Sequence, residues 1–297
     1  METSDEEGDS ASLLSKAALI FAVLLPFAIY KPHHSFRAFS VAASPPPGRV
    51  IAPVAERKPP KMARKKKKLY ITFDDGPNKG TRNVLHIVKD EGVPVSFFVV
   101  GEHVFASRTQ GALWDSLKAM PQVALCNHSF CHAHGRYAAY YEKPDSVVSD
   151  FKRTRDSLQL TNPIARTPGR NIWRIDSLQF TDLKKSTAAA DSLQKAGFVL
   201  MGWDMEWQFD PKTMSVTSPA ESMVAQIDSV FKRGRTKKRD HLVLLAHDQV
   251  YQKSEDSFQL RQFFQLLKKK DDYEFTLVSQ YPGTDRQRDT MSTGSVQ

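Results

Sequence analysis

Residues 69–77 read Leu-Tyr-Ile-Thr-Phe-Asp-Asp-Gly-Pro and join an apolar run to two adjacent acids. The apolar run predicts a buried strand, and Gly76 and Pro77 end that strand directly after the acids. Asp74 and Asp75 can therefore both turn toward one site at the strand end. Adjacent carboxylates raise each other's pKa, and a bound cation relieves this conflict if one acid ligates it and the other remains free as a base. The alternative is an ordinary turn, because Asp-Asp-Gly-Pro is good turn chemistry.

Two histidines lie four residues apart in 127–132, which reads Asn-His-Ser-Phe-Cys-His. If this segment is a helical turn, His128 and His132 share one face and both imidazoles can reach one ion. Neutral imidazole is a common ligand of zinc and similar divalent metals. Two histidines and one carboxylate, with a position left open for water, form a catalytic rather than a structural ligand set. The histidine pair alone is weak, and it gains weight from the acid pair at a strand end.

A third polar group follows the apolar run 242–246, where His247 and Asp248 come directly after Leu-Val-Leu-Leu-Ala. Barrel enzymes keep their chemistry at the carboxyl ends of buried strands. A histidine there can act as a general acid. The alternative is a loop histidine that happens to follow a strand.

Strand-like and helix-like segments alternate along the chain. The strands fit residues 69–73, 95–100, 122–126, 163–166, 198–203, 242–246 and 274–279. The helices fit about 80–91, 109–119, 145–159, 186–196, 218–233 and 256–270. Such alternation predicts a parallel sheet with helical crossovers. Seven strands rather than eight predict an irregular α/β barrel.

Five motifs together resemble the polysaccharide deacetylase family, also called the NodB-homology family or carbohydrate esterase family 4. In chain order they are 72–77 (Thr-Phe-Asp-Asp-Gly-Pro), 128–132 (His-Ser-Phe-Cys-His), 166–168 (Arg-Thr-Pro), 203–207 (Trp-Asp-Met-Glu-Trp) and 245–247 (Leu-Ala-His). The resemblance covers residues 66–282, which we expect to form the catalytic domain. It implies an irregular (β/α)7 barrel of the polysaccharide deacetylase type.

The resemblance also implies roles for individual residues. Asp74 would be the catalytic base and Arg166 would orient it, while His247 would be the acid. Asp75, His128 and His132 would bind a divalent metal. Zinc is the first expectation for that metal, and cobalt, nickel or manganese are the alternatives.

Two departures from the family pattern leave assignments open. Gly169 follows Arg-Thr-Pro directly, so the backbone N–H that binds the oxyanion is expected at Gly169 or at Arg170. The acid that supports His247 is either Asp204 or Glu206, and we favour Asp204.

Aromatic residues near the motifs are candidates for the substrate-binding walls. Trp203 and Trp207 flank the fourth motif, and Tyr137 lies in the segment 133–144, which we expect to be a loop. For each of them, packing in the core is the alternative.

The resemblance implies a metal-dependent hydrolase that removes N-acetyl groups from N-acetylglucosamine units of a polysaccharide, either peptidoglycan or a chitin-like polymer, and releases acetate. One alternative is a catalytically silent carbohydrate-binding member of the same fold. The other is a deacylase that acts on O-acetyl groups or on non-sugar amides.

The net charge of +9 is unevenly distributed. Residues 56–68 carry +7, residues 1–10 carry −5, and residues 69–297 carry only +3. The basicity thus belongs mainly to a linker that lies beside anionic lipid or polymer or is simply solvated, and we expect no nucleic-acid partner. The two cysteines, Cys126 and Cys131, give no zinc-binding pattern, and the sequence leaves their oxidation state open.

The N-terminal region precedes the predicted domain. We expect residues 1–16 to be a disordered acidic terminus, 17–30 a signal or membrane-anchor segment, 31–65 a disordered tether rich in Pro and Lys, and 283–297 a disordered tail. Basic residues after the apolar segment favour the cytoplasmic side, whereas the family resemblance implies export. We expect an exported protein, either membrane-anchored or periplasmic or extracellular.

Overall fold

The structure is a computed structural model that describes residues 65–285. The predictions for residues 1–16 and 17–30, and for most of 31–65 and 283–297, lie outside the described residues. Between residues 65 and 285, no helix has both the length and the apolar character needed to cross a membrane.

The described chain alternates strands and helices. The strands are β1 (Lys67–Asp74), β2 (Val95–Val99), β3 (Val123–Asn127), β4 (Ile164–Ala165), β5 (Ile172–Ile175), β6 (Leu178–Thr181), β7 (Val199–Leu200), β8 (Met205–Glu206), β9 (Phe209–Asp210), β10 (Ser215–Val216), β11 (His241–His247) and β12 (Tyr273–Phe275). The helices are α1 (Thr81–Glu91), α2 (Gly101–Phe105), α3 (Arg108–Ala119), α4 (Tyr137–Tyr141), α5 (Pro144–Leu158), α6 (Thr187–Lys195), α7 (Ala220–Lys232) and α8 (Ser254–Lys268).

One large curled sheet organises the domain. Its strand order is β6-β5-β7-β4-β3-β2-β1-β11-β8, and β12 pairs with the start of β1. The pairings of β5 with β6 and with β7 are antiparallel, and the other pairings in this sheet are parallel. Strands β9 and β10 form a separate hairpin. The predicted irregular α/β barrel is confirmed, in the form of a half-barrel whose ladder ends at β6 and β8.

Strand β1 shows how the sheet separates core from site. Leu69, Ile71 and Phe73 are buried in the apolar layer between the sheet and the helices. Tyr70 belongs to the second apolar cluster, which fills the barrel interior. Successive side chains on a strand point to opposite faces, so Asp74, four residues after Tyr70, lies on the same interior face as Tyr70. It is also at the carboxyl end of the strand.

The register of the central strands brings three chain segments to one edge of the sheet. Asp74 at the end of β1 is paired with His247 at the end of β11. On the other side, Val99 of β2 is paired with Asn127 of β3, directly before His128. The carboxyl ends of parallel strands meet at one edge, so the sequence motifs that follow these strands converge there.

The helices that cover the sheet follow the predicted periodicity. The stripe Leu260, Phe263, Phe264 and Leu267 on α8 is fully buried, as its spacing predicted. Helix α5 begins at Pro144, which suits a first helical turn. Helix α1 ends before Gly92, whose left-handed φ of 62° closes the helix.

Short elements account for the differences from the predicted order. The predicted strand 198–203 is only Val199–Leu200, and 274–279 is Tyr273–Phe275 followed by a 3-10 turn at Val278–Gln280. The hairpins β5–β6 and β9–β10, strand β8 and helices α2 and α4 were not predicted. The segment 133–144 is therefore not a loop throughout, since α4 occupies Tyr137–Tyr141. Elements of two to five residues are too short for a periodic signal.

Candidate active site

The two acids face one site because the backbone turns between them. Asp74 ends β1 and is only 2% exposed. Asp75 has a left-handed backbone with φ of 73°, which interrupts the strand alternation. Both carboxylates consequently lie near His128, whose Nε2 is 3.6 Å from Asp74 Oδ2 and 3.5 Å from Asp75 Oδ1.

The two histidines also converge, but not on a helix. Residues 128–131 are not helical, and Ser129 and His132 have left-handed φ values of 66° and 46°. The prediction that a helical turn gives His128 and His132 a common face was thus wrong in its geometry. A tight turn brings their ring centroids to 5.0 Å instead, with His132 Nε2 3.2 Å from Asp75 Oδ1.

Side-chain to backbone hydrogen bonds hold this turn. The Ser129 N–H donates to Asn127 Oδ1 at 2.9 Å, and the His132 N–H donates to Ser129 Oγ at 3.0 Å. Asp150 Oδ2, on α5, accepts from the Phe130 N–H at 3.1 Å. The supporting roles of these three residues were not predicted from the sequence. Asn127 and Ser129 carried a local signal, since short polar side chains commonly bond neighbouring backbone groups.

Two further residues, His103 and Asp248, hold the segment that carries the acid pair, and neither role was predicted. His103 Nδ1 lies 2.7 Å from the carbonyl oxygen of Asp75. The buried Asp248 accepts hydrogen bonds from Asn78, in the loop after β1, and from Thr81, the first residue of α1. Burial raises the pKa of Asp248 to about 7. The loop that presents Asp75 is thereby tied to the end of β11.

Asp75, His128 and His132 fit a divalent metal. Their ligand atoms all lie within 4.8 Å of one another. Asp75 Oδ1 is buried and makes no hydrogen bond within residues 65–285, although two imidazole nitrogens are close. His128 Nδ1 donates to the carbonyl of Arg166 at 2.9 Å, which leaves Nε2 directed at the acids. A ligating histidine commonly donates its other N–H in this way.

The charges of this cluster are strongly coupled. Although burial alone would raise it, the neighbouring imidazoles of His128 and His132 hold the pKa of Asp75 well below its usual range. Burial would lower the pKa of His128, but the charges of Asp74 and Asp75 raise it. The two carboxylates thus favour positive charge at this position, which a divalent cation would supply.

Arg166 is completely buried and fixes Asp74. Its Nη1 donates to Asp74 Oδ1 at 2.7 Å and to Thr72 Oγ1 at 2.8 Å. Its Nε and Nη2 donate to the carbonyls of Met201 and Gly202 at 3.0 and 2.9 Å. Four hydrogen bonds hold the guanidinium in place, and the one to Oδ1 orients Asp74 with Oδ2 toward the metal-ligand cluster.

His247 lies at the rim of the cluster. Its Nε2 is 4.0 Å from Asp75 Oδ2, and its ring packs edge-on against Phe209 at 5.1 Å. His247 Nδ1 is buried and makes no hydrogen bond to any described residue. Neither Asp204 nor Glu206 therefore holds this ring in the structure.

Asp204 accepts hydrogen bonds from backbone N–H groups and does not contact His247, so the prediction that it supports His247 was wrong. Its Oδ1 accepts from the Lys237 N–H at 2.6 Å and its Oδ2 from the Val243 N–H at 2.8 Å. Val243 lies four residues before His247 on β11, roughly 13 Å away at the rise of an extended strand. Burial raises the pKa of Asp204 to about 6.

Of the aromatic residues predicted to line the substrate site, some lie at the site and one lies in the core. Tyr137, on α4, meets His132 edge-on at 5.8 Å, and the left-handed Gly169 lies so close that a Cβ there would be 3.1 Å from the Tyr137 ring. Trp203 is half-buried, with Arg166 5.9 Å from its ring. Trp207 was wrongly predicted as a wall: it is 2% exposed and packs against Tyr251 under the helices.

The two candidate oxyanion donors differ in availability. The Arg170 N–H donates to the Thr167 carbonyl at 3.3 Å. The Gly169 N–H makes no hydrogen bond within the described part of the chain. Gly169 is thus the donor that remains free on the site side, next to Tyr137.

Both cysteines are free thiols. Burial raises the pKa of Cys126 far above its ordinary value, and it raises the pKa of Cys131 to about 11. Neither sulfur belongs to the metal-ligand cluster, whose members are one acid and two histidines.

Comparisons with known proteins agree with these motifs. Residues 61–173 match the polysaccharide deacetylase family. A chitooligosaccharide deacetylase of Bradyrhizobium sp. is 28% identical over 139 residues, which cover 46% of this chain and 56% of that protein. A peptidoglycan-N-acetylglucosamine deacetylase of Bacillus cereus is 22% identical over 193 residues, covering 62% of this chain and 61% of that protein. The chain spans about half the length of the curated relatives it matches, from 47% to 61%.

The fold has close counterparts among solved structures. A carbohydrate esterase family 4 (CE4) esterase of Streptococcus mutans superposes with a TM-score of 0.52 at 24% sequence identity, covering 73% of this chain and 87% of that chain. At that identity the likeness concerns the fold. It supports the curled α/β sheet described above.

Proposed function

We propose that this chain, whose residues 61–173 match the polysaccharide deacetylase family, is a metal-dependent hydrolase that removes N-acetyl groups from N-acetylglucosamine units of a polysaccharide. One observation carries the proposal: Asp75, His128 and His132 converge, and Asp74 lies beside them in an ion pair with Arg166. The names of the two curated relatives support an N-acetylated sugar polymer, chitin-like or peptidoglycan, as the substrate class.

Asp75, His128 and His132 are the residues that would hold the cation. Two imidazoles and one carboxylate suit zinc, with cobalt, nickel or manganese as alternatives. When bound, a divalent cation supplies Lewis-acid chemistry, because it acidifies water and draws electron density from an acetyl carbonyl.

Asp74 is the proposed base. Arg166 occupies its Oδ1, so Oδ2 is the oxygen turned toward the site. In our proposal Oδ2 accepts a proton from the attacking water while the water oxygen forms a bond to the acetyl carbon. In our proposal the N–H of Gly169, which has no hydrogen-bond partner among the described residues, donates a hydrogen bond to the carbonyl oxygen as that oxygen gains charge.

His247, at the rim of the metal-ligand cluster, is the proposed acid. It donates a proton to the amide nitrogen as the carbon–nitrogen bond breaks, so the products are acetate and a free sugar amine. The reaction needs water and no other co-reactant. Tyr137 and Trp203 remain the proposed contacts to the sugar rings, since aromatic faces suit the apolar side of a sugar.

Acetate release tests this proposal. The purified full chain would be incubated with N-acetylated chitooligosaccharides, peptidoglycan fragments, O-acetylated xylan and a non-sugar N-acetyl amide, before and after chelation and after return of zinc. We expect acetate from the N-acetylated glycans, lost on chelation and restored by metal. Acetate release that persists after chelation would contradict the proposed metal dependence. Release only from xylan or only from the non-sugar amide would contradict the proposed N-acetylated glycan substrate. Binding of glycans without release from any substrate would favour the silent alternative.

A further inference from the structure

The end of the domain opposite the candidate active site is strongly basic. Residues 65–68 are four lysines, residues 232–239 hold six Lys or Arg and no acid, and residues 268–270 are three lysines. The first two segments meet where the Lys68 N–H donates to the Asp240 carbonyl at 2.8 Å. The first and third meet where the Lys67 N–H donates to the Asp272 carbonyl at 2.8 Å. We call these three segments together the basic face.

The positive charge of the basic face is only partly neutralised. Three of its lysines form ion pairs: Lys68 with Glu274 at 2.5 Å, Lys268 with Glu91 at 2.5 Å and Lys270 with Asp228 at 2.8 Å. Arg239 lies 3.8 Å from Asp240, and its side chain is 96% exposed. Four more cations of 232–239 are exposed and form no ion pair with any described residue: Lys232, Arg233, Arg235 and Lys238. Since residues 69–297 carry only +3, this face holds a concentrated excess that the rest of the domain offsets.

The face is separate from the site. Lys68 is paired with His241 at the start of β1 and β11, and Asp74 is paired with His247 at their ends. Six residues of extended strand span roughly 20 Å. The single sugar unit bound at the metal-ligand cluster therefore does not reach the basic face.

The entry point of the chain indicates which anionic partner the face meets. Residue 65, where the described chain begins, belongs to the face itself. Ahead of it the sequence contains the uncharged apolar stretch 17–30. A single marginal apolar segment anchors weakly, and stable attachment to a membrane generally needs a second signal such as a basic patch. Clustered lysines and arginines bind anionic lipid headgroups in this way.

We propose that the basic face binds an anionic lipid bilayer and so turns the catalytic end of the domain away from the membrane. A cleft of about 580 Å³ on this face, lined in part by Lys67, Lys232 and Arg239, provides a place for a lipid phosphate. The domain then approaches its polymer from the membrane side, with the substrate groove outermost.

Vesicle co-sedimentation of the full chain tests the proposal. The wild type would be compared on phosphatidylglycerol–phosphatidylcholine vesicles and on pure phosphatidylcholine vesicles, so that any contribution of the apolar stretch is common to both. The variant replaces five exposed cations by glutamine: Lys232, Arg233, Arg235, Lys238 and Arg239. We expect the preference of the wild type for anionic vesicles to fall roughly tenfold or more in the variant, and to weaken with added salt in the wild type.

A second five-charge variant provides the matched control, with glutamine at Lys143, Lys152, Lys184, Lys185 and Lys212, which are exposed residues outside the face. We expect it to retain the preference. Loss of preference in this control, retention in the basic-face variant, or wild-type binding to soluble polyphosphate but not to anionic vesicles would each overturn the proposal. Acetate release from a short soluble substrate is unaffected by the face in this proposal, so a failed deacetylase assay leaves the vesicle result standing.

Discussion

Asp74 and Asp75 are neighbours in sequence, yet their surroundings differ. Asp74 Oδ1 accepts a hydrogen bond from Arg166. Asp75 Oδ1 accepts none from the described residues and lies beside two imidazole nitrogens. The left-handed backbone at Asp75 produces this division, because it turns the second carboxylate out of the strand and toward the histidine turn. One acid is thus arranged as a base and the other as a ligand.

This division predicts separable effects on turnover and on metal content. We expect Asp74→Asn to lower acetate release by about 10²–10⁴-fold, the usual contribution of a general base, while the metal content stays near that of the wild type. Elemental analysis of the purified variant and an acetate assay measure the two quantities. As a comparison, Asp75→Asn should lose the metal. An active Asp74→Asn enzyme would contradict the assignment of the base.

His247 should behave like Asp74 rather than like the ligands. Its Nε2 is 4.0 Å from Asp75 Oδ2 at the rim of the cluster, outside the ligand set. We therefore expect His247→Ala to lose about 10²-fold or more in turnover and to keep its metal. His86→Ala, an exposed histidine on α1, is the control that should change neither. Loss of metal in His247→Ala would make this histidine a ligand instead.

The sequence identified the groups that converge but not all of their partners. Adjacent acids, the spaced histidines and the strand-end histidine were visible as residue types in order. Two errors followed from contacts that no residue type reveals. Asp204 bonds two backbone N–H groups of distant segments. Trp207 directly follows strand β8 and packs in the same apolar cluster as Met205, and that strand was too short to recognise.

At the level of elements, α5 supports the histidine turn. Asp150 Oδ2 accepts from the N–H groups of Phe130 and Cys131 and from the hydroxyl of Tyr140. One carboxylate therefore ties α5 and α4 to the segment that carries the ligands. Nothing in the spacing of α5 distinguished Asp150 from the other acids of that helix, because its role depends on packing across elements.

Removal of this support should weaken the metal site. We expect Asp150→Ala to bind zinc about 10–100-fold more weakly, the usual cost of losing a group that orients metal ligands. Competition with a chelating dye measures the affinity. Asp156→Ala, on the same helix but exposed and bonded to Arg155, is the matched control. Equal affinities for both variants would mean that the turn is held without Asp150.

The link between β8 and β11 should be sensitive to pH. Burial raises the pKa of Asp204 to about 6 from an ordinary value of 3.8. Between these values the folded chain binds more protons at this residue than the unfolded chain does, so the stability contributed here falls as pH rises. The same carboxylate accepts a hydrogen bond from Val243 near the start of β11. Its ionisation in this buried position lowers the stability of the folded chain.

Asp204→Asn removes this titration. We expect the unfolding free energy of the wild type, relative to that of Asp204→Asn, to be most favourable below the ordinary pKa of 3.8. It should decrease by up to about 3 kcal/mol as the pH rises through about 6, since one pKa unit corresponds to about 1.36 kcal/mol. Once the folded carboxylate is fully ionised, the difference should stay constant. Denaturant unfolding of both proteins across this range measures it, and a difference that grows with pH contradicts the raised pKa.

On the scale of the whole molecule, the strands give the domain two chemically distinct ends. The metal-ligand cluster lies at their carboxyl ends and the basic face at their amino ends. The alternating order of elements predicted this polarity, because parallel strands keep all their ends in register. The net charge did not predict the basic face, since a total of +3 over residues 69–297 does not show where the charges lie. The antiparallel hairpin β5–β6, which extends one side of the sheet, had no periodic signal.

The metal-ligand cluster joins segments from different strands, so metal should stabilise the entire fold. Asp75 follows β1, whereas His128 and His132 follow β3, and the unfolded chain does not hold them together. Metal at about 100 times its dissociation constant stabilises the native state by about 2.7 kcal/mol. For a domain of this size that raises the unfolding temperature by about 5–10 °C.

Thermal unfolding with and without chelator tests this expectation. We expect the chelated protein to unfold at the lower temperature and returned zinc to restore the higher one. His128→Ala should lose the shift. His134→Ala should keep it, because His134 lies in the same turn but its exposed ring pairs with Glu102, outside the cluster. A shift that survives His128→Ala would place the stabilising ion at other residues.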